Sequence, residues 1–252
     1  MAKNEVAEKQ STDVVNWEQK LAQEARDVAK TERPSINKIN FQSGVMTYMD
    51  NAVPDNTLDC IIVASAWEHV FYDTPWEPGV VHPPHCFALG IPEGGEAPAM
   101  VAHDSVPDSP GPVCASCEMF KFNSDLKGGR GKACSERRRL AAIPNISDAD
   151  QIEKAEMAVM SIPVMSVKNW ANYVNVVAAQ HSRPAWGMLT RVKLVPDKKS
   201  QFKVTFEAVE PLESSFLGPV SARIPMATQA LLTPYEMEPK EESTEEEGKT
   251  KY

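Results

Sequence analysis

The chain has 252 residues, 42% of them hydrophobic, and a formal net charge of −9. That is enough apolar material for one sizeable core, and the negative charge excludes a chain whose whole surface is a nucleic-acid platform. The longest apolar run, Cys60–Ala64, has the length of a strand, not of a membrane span, and Met1–Lys9 is charged and lacks the apolar stretch of a signal peptide. The chain is therefore expected to be cytoplasmic, with no membrane partner. In that reducing compartment its five cysteines point to metal, not to a disulfide framework.

Residues 1–12 are polar and are expected to be disordered. Residues 13–31 read as a helix, with Trp17, Leu21, Ala25 and Val28 on one stripe, ended by Arg33-Pro34. From Ser35 onward the pattern becomes strand-like. Residues 36–41 and 45–49 flank Gly44, and Leu58–Ala66 is β-branched and apolar enough for a buried central strand. Trp67–Tyr72 then alternates aromatic and polar residues. Residues 74–113 are rich in Pro, Gly and small residues, a length of irregular chain that needs something to hold it. Ile146–Ser161 reads as a helix with an acidic first turn. Ser166–Gln180 reads as a second helix with Ser166 as N-cap. Residues 186–194 and 201–209 alternate as a hairpin across Val195–Ser200. Residues 221–233 fit a helix or a strand equally. The tail, residues 236–252, lacks the apolar content to fold and is expected to be disordered.

Cys114-Ala115-Ser116-Cys117 is a CxxC pair, a turn that presents two sulfurs to one ion. Cys134 follows it and Cys86 precedes it, completing a four-thiolate set for a structural Zn2+. His82, His85 or His103 are substitutes for Cys86, with His103 the best placed. A redox CxxC and an iron–sulfur cluster are the competing chemistries. The redox reading lacks a strand-then-helix context and leaves Cys86 and Cys134 unused. Cys60 belongs to an apolar strand and reads as a buried structural thiol, and His69 and His181 read as packing or surface residues. Four protein ligands leave no open position for water, and no nucleophile triad, Walker loop or paired-carboxylate motif is present, so no enzyme activity is expected.

The segment 121–139 carries seven basic residues against Asp125 and Glu136, a net of +5. Lys121, Lys127, Arg130 and Lys132 interleave with Phe120 and Phe122, and Arg137 and Arg138 follow. Cations that track phosphates beside aromatic faces that stack on bases are the means by which single-stranded nucleic acid is held. Trp67 and Tyr72 on the aromatic strand are a second candidate surface. Residues 236–252 carry seven glutamates against three lysines, a net of −4.

The run from Cys114-Ala115-Ser116-Cys117 through Ser124-Asp125, the Gly128–Lys132 loop, Ala133-Cys134 and Arg138-Arg139-Leu140 resembles a family of tailed-bacteriophage proteins. Pro84-His85-Cys86-Phe87-Ala88 is similar to the same family, as is the stretch from Trp186-Gly187 through Val195-Pro196-Asp197-Lys198 to Phe202–Phe206. The resemblance covers roughly residues 35–210. Glu118-Met119-Phe120 departs from it, where a more polar stretch is common. It implies a single-stranded-DNA-binding protein of phage replication or recombination, working in the cytoplasm of an infected host. An acidic tail in such proteins recruits replication or recombination partners and competes with DNA for the basic groove, although here Lys249, Lys251 and Tyr252 follow the glutamates.

The expected fold is α+β: an OB-like, β-rich domain over 13–235 with a zinc-held insertion at about 74–143, flanking helices and the acidic tail. The rival function is a zinc-stabilised interaction factor that acts on a polymerase without touching DNA. Self-association is compatible with either.

Overall fold

The computed structural model describes Trp17, Lys20, Leu21, Glu24, residues 37–74 and residues 82–235. The segments expected to be disordered, 1–12 and 236–252, lie outside the described residues. Of the helix expected over 13–31, the four described residues are helical. Residues 1–36 form one unit and residues 37–252 another.

The second unit is α+β, a strand-rich, curled mixed sheet with two long helices. The strands are β1 (Asn37–Gln42), β2 (Val45–Tyr48), β3 (Asn51–Ala52), β4 (Thr57–Phe71), β5 (Cys86–Gly90), β6 (Ser135–Pro144), β7 (Ala158–Ile162), β8 (Met188–Asp197) and β9 (Gln201–Pro211). The helices are α1 (Val164–His181) and α2 (Ser214–Leu231). Strand order is β3-β2-β1-β7-β6-β4-β8-β9, with β5 also on β4. The β1–β7 pair is parallel and the other ladders are antiparallel. Among the described residues no ladder joins β3 to β9. No described helix is long and apolar enough to cross a membrane.

β4 is the axis. Along one edge it pairs with β6 over Cys60–Val70. Its other edge is divided: residues 57–60 pair with β8, and residues 67–71 pair with β5. A near-continuous apolar sequence suits a strand covered on both faces, and both faces are covered. Leu58, Cys60 and Ile62 join the cluster packed beneath Trp170, Tyr173 and Val177 of α1. Ile61 and Val63 join the cluster beneath Val220, Ala227 and Leu231 of α2. An irregularity between Ile62 and Ala64 then shifts the register. Beyond it the parity reverses, so that Ala66 lies on the α2 side with Ile61 and Val63. One extra residue in a strand has this effect, because side chains alternate with period two.

Two expectations require correction. Ile146–Ser161 is not a helix: it is a short 3-10 turn, Ala149–Gln151, followed by β7. Asp148 caps the turn by accepting from the Asp150 amide, and Ala158, Met160 and Ile162 alternate into the core between β1 and β6. Pairing on both edges outweighs the weak helical preference of the segment. Ser166 is not the N-cap of α1, which starts two residues earlier behind Pro163; its buried hydroxyl accepts from the Val204 amide instead. Residues 137–144 lie in β6, so Arg137, Arg138 and Arg139 point alternately to opposite faces of the sheet. The ambiguous C-terminal segment is helix α2, which tolerates Pro219 and Pro225 within it.

A buried polar cluster lies on the α2 side of β4 and β6. Glu68 is 0% exposed. Its carboxylate accepts from Arg139 Nε, from Ser161 Oγ at 2.6 Å and from Tyr235 OH at 2.8 Å. Arg139 also donates to the carbonyls of Leu231 and Thr233 at 3.1 and 2.6 Å. Burial pulls the Arg139 guanidinium down, but the charge of Glu68, then Tyr235, outweighs it and leaves the group above its ordinary value.

Candidate metal and nucleic-acid site

At the end of the sheet where β4, β5 and β6 run side by side, one cavity is lined by Cys86, Cys114, Cys117, Cys134 and His69. The remaining walls are apolar, chiefly Phe71, Phe87, Met119 and Phe120. Each cysteine arrives from a different structural cause. Cys86 opens β5 opposite Phe71. Cys114 and Cys117 bracket a 3-10 turn closed by the Cys117 amide donating to the Cys114 carbonyl at 3.2 Å. That turn is tied to the chain ahead of it by the Cys114 amide, which donates to Met100 O at 3.1 Å. Cys134 is placed just before β6 by its amide donating to Met119 O at 2.8 Å.

The four sulfurs are close enough to sense one another's charge. Burial pushes the Cys134 thiol up to about 12, and the nearby Cys114, Cys86 and Cys117 add to the shift. Burial pushes Cys114 up to about 11, with Cys86 and Cys117 contributing. Cys86 is raised by burial, and further by Cys117, against a lowering contact from Ser109. Cys86, Cys114 and Cys134, which burial and one another's charge keep protonated, form with Cys117 a donor set that a soft dication would deprotonate. Among the described residues no group of three or more His, Cys, Asp or Glu already stands ready to hold a metal ion. Convergence on one cavity and mutual charge coupling are therefore the observations that recommend the set. Cys60 lies apart, fully buried in the α1-side core, its thiol raised to about 12 by burial.

The histidine substitutes for Cys86 are engaged elsewhere. His103 stacks on Phe87 at 4.8 Å and its Nδ1 meets Ser105 Oγ at 2.8 Å. His85 pairs with Asp73 at 2.9 Å, and His82 is exposed. The histidine that does line the cavity is His69, which the sequence assigned to packing or surface.

Between Cys117 and Cys134 the chain forms a pinned hairpin. The Asn123 amide donates to Arg130 O at 3.2 Å and the Asp125 amide to Gly131 O at 3.3 Å. The turn closes through the Gly128 amide on Asp125 O at 2.9 Å and the Lys127 amide on Asp125 Oδ1 at 3.0 Å. Gly128 has φ 75°, which a side chain would strain. A Cβ at Gly129 would stand 2.2 Å from Asp125 Oδ2, so a side chain there would have to displace the Asp125 carboxylate. Ser124 Oγ lies 2.7 Å from Lys121 O and accepts from the Ala133 amide at 2.9 Å, tying the hairpin's base.

The basic and aromatic residues fall into two groups. Lys127 and Arg130 are exposed at the hairpin tip, and neither side chain has a bonding partner among the described residues. Phe122 is 72% exposed. Lys132 lies 5.2 Å from the Phe122 ring centroid and 3.6 Å from that of Phe120, and Phe120 itself stacks on His69 at 4.4 Å. Lys121 is exposed and paired with Glu118. The sheet residues are committed inward. Arg138 is 9% exposed, lies 3.6 Å from the Trp67 ring centroid and bonds Glu136 at 3.4 Å. Arg137 is half-buried, 6.0 Å from the Tyr72 ring, with Trp67 and Tyr72 also half-buried.

No family model, curated protein or solved structure matches the chain.

Proposed function

We propose that the protein binds single-stranded DNA through the hairpin between Cys117 and Cys134, which a structural zinc ion on Cys86, Cys114, Cys117 and Cys134 holds against the sheet. The supporting observation is the pairing of exposed cations with an exposed aromatic ring on a pinned hairpin: Lys127, Arg130 and Phe122 lie exposed on a backbone that its own hydrogen bonds fix. Such a ridge meets a phosphate chain and its bases with little ordering cost. The protein is non-catalytic in this reading, and the zinc supplies folding free energy alone. An OB-like core is the finer fold reading that accompanies it, since curled, strand-rich sheets commonly present such grooves. Phage DNA replication or recombination is the setting that the sequence resemblance supplies, with the acidic tail as partner hook.

The test is a salt titration of binding to an oligonucleotide. Each phosphate contact on a single strand contributes about −0.7 to the slope of log affinity against log salt. Replacing Lys127 and Arg130 with alanine should make the slope shallower by roughly 1.4 and weaken binding to all sequences alike. A zinc-loaded double variant with wild-type affinity and slope would place the contact elsewhere. If the wild type binds no single strand, the exposed Phe122 and Leu126 make the polymerase-directed interaction factor the better reading.

A further inference from the structure

Within the cysteine cavity one side chain lacks a role in the set just proposed. His69 is 4% exposed, and both of its ring nitrogens are buried without a hydrogen-bond partner among the described residues. Leaving a buried polar group unpaired costs about 1–3 kcal/mol, and an apolar residue of similar size would avoid that cost. Apart from the four thiols, His69 is the only polar side chain lining the cavity among the described residues.

Its position is set by the sheet. His69 faces Ala88 across one edge of β4 and Glu136 across the other. Cys86 lies two residues from Ala88, and Cys134 lies two residues before Glu136. The register shift after Ile62 turns His69 to this face, and the Phe120 ring, 4.4 Å away, fixes the imidazole plane. The ring is thus held between β5, which opens at Cys86, and β6, which Cys134 immediately precedes.

We propose that His69 is the hydrogen-bond donor of the metal site, its ring N–H directed at a cysteine sulfur once the four thiolates hold a zinc-like dication. This rests on the metal reading above and adds to it. Four thiolates around one dication leave two negative charges in an apolar pocket, and charge in such a place requires a donor. A buried, plane-fixed imidazole provides one without adding a fifth ligand. His69 is therefore a positioning and charge-stabilising residue.

The experiment compares wild type with His69→Phe, which keeps a ring against Phe120 but has no N–H, and with His69→Gln, which keeps an N–H donor. Zinc affinity is measured by chelator competition, and Co2+ is used as a spectroscopic probe whose thiolate charge-transfer intensity counts sulfur ligands. His69→Phe should still bind one ion with undiminished charge-transfer intensity but 10- to 100-fold more weakly, the usual effect of losing an outer partner, while His69→Gln should recover most of that loss. Nitrogen NMR of the His69 ring in the zinc-loaded wild type should show an N–H that resists exchange and no metal-bound nitrogen, a readout that needs no variant to fold. The proposal is overturned if His69→Phe binds zinc as tightly as wild type, or if the NMR shows a nitrogen bonded to metal. A wild type that holds no zinc at all overturns the metal reading itself and this inference with it, and that outcome appears before any variant is made.

Discussion

Replacing Arg139 with methionine tests whether the polar cluster beneath α2 is what holds that face of the sheet together. The guanidinium is one-tenth exposed and the Glu68 carboxylate is fully buried. The change removes the bond to Glu68 and those to the carbonyls of Leu231 and Thr233, and it leaves a carboxylate in the core with only the Ser161 and Tyr235 hydroxyls. Breaking a buried pair by deleting one partner costs about 3–5 kcal/mol, because the surviving charge stays buried. Against a total stability of about 5–15 kcal/mol this is a large loss. With a urea m-value of about 2 kcal/mol/M, the unfolding midpoint should fall by roughly 1.5–2.5 M. Adding Glu68→Gln removes the stranded charge, so the double variant should regain a substantial part of that shift. Both are compared with wild type in equilibrium urea unfolding at equal m and equal zinc. A midpoint change below about 0.5 M for Arg139→Met, or no recovery in the double variant, would refute the assignment of the cluster as the anchor.

Purified protein should contain one zinc per chain, and Cys117→Ser should lose it together with the order of residues 86–134; a fully folded metal-free chain by atomic absorption and circular dichroism contradicts the site. The backbone amides of Ser200 and Lys199, helped by the Ser200 hydroxyl, hold the Asp197 carboxyl down at about 2. Its contribution to stability is therefore complete above its ordinary value near 4 and disappears as pH falls through about 2. Asp197→Ala should be less stable than wild type at pH 6, with the gap closing between pH 4 and 2 in thermal melts. Removing residues 236–252 should tighten oligonucleotide binding at low salt and leave it unchanged at high salt, since the glutamates no longer compete for the cationic hairpin.

The strands flanking Gly44, the apolar strand at Leu58–Ala66, the helix near Ser166 and the last hairpin are legible in the sequence because each carries a clean local period. The Ile146–Ser161 segment misleads because Ala158–Ile162 takes its conformation from β1 and β6, partners that are distant in sequence. The four cysteines are legible by residue type and spacing alone, and they do line one cavity. His69 is not, since Trp67–Tyr72 shows alternation without showing which face it serves. The face is decided at Ile62–Ala64, where a shift in register leaves no mark in the sequence. The facing of the β6 arginines is equally unmarked in the sequence, and alternation sends Arg139 to Glu68 and Arg138 to Trp67.

That shift makes β4 behave like a reading frame. Upstream of it, even-numbered residues serve the α1 face; downstream, they serve the α2 face. Changing the identity of a residue at the shift alters one contact, whereas straightening the strand with the extra residue kept would exchange the two faces for every side chain beyond it. Glu68 would then enter the cysteine cavity, and His69 would take its place beneath α2. The extra residue and the shift are therefore tied: a related chain that lost both would keep Glu68 and His69 on their present faces, and one that lost only the shift would not.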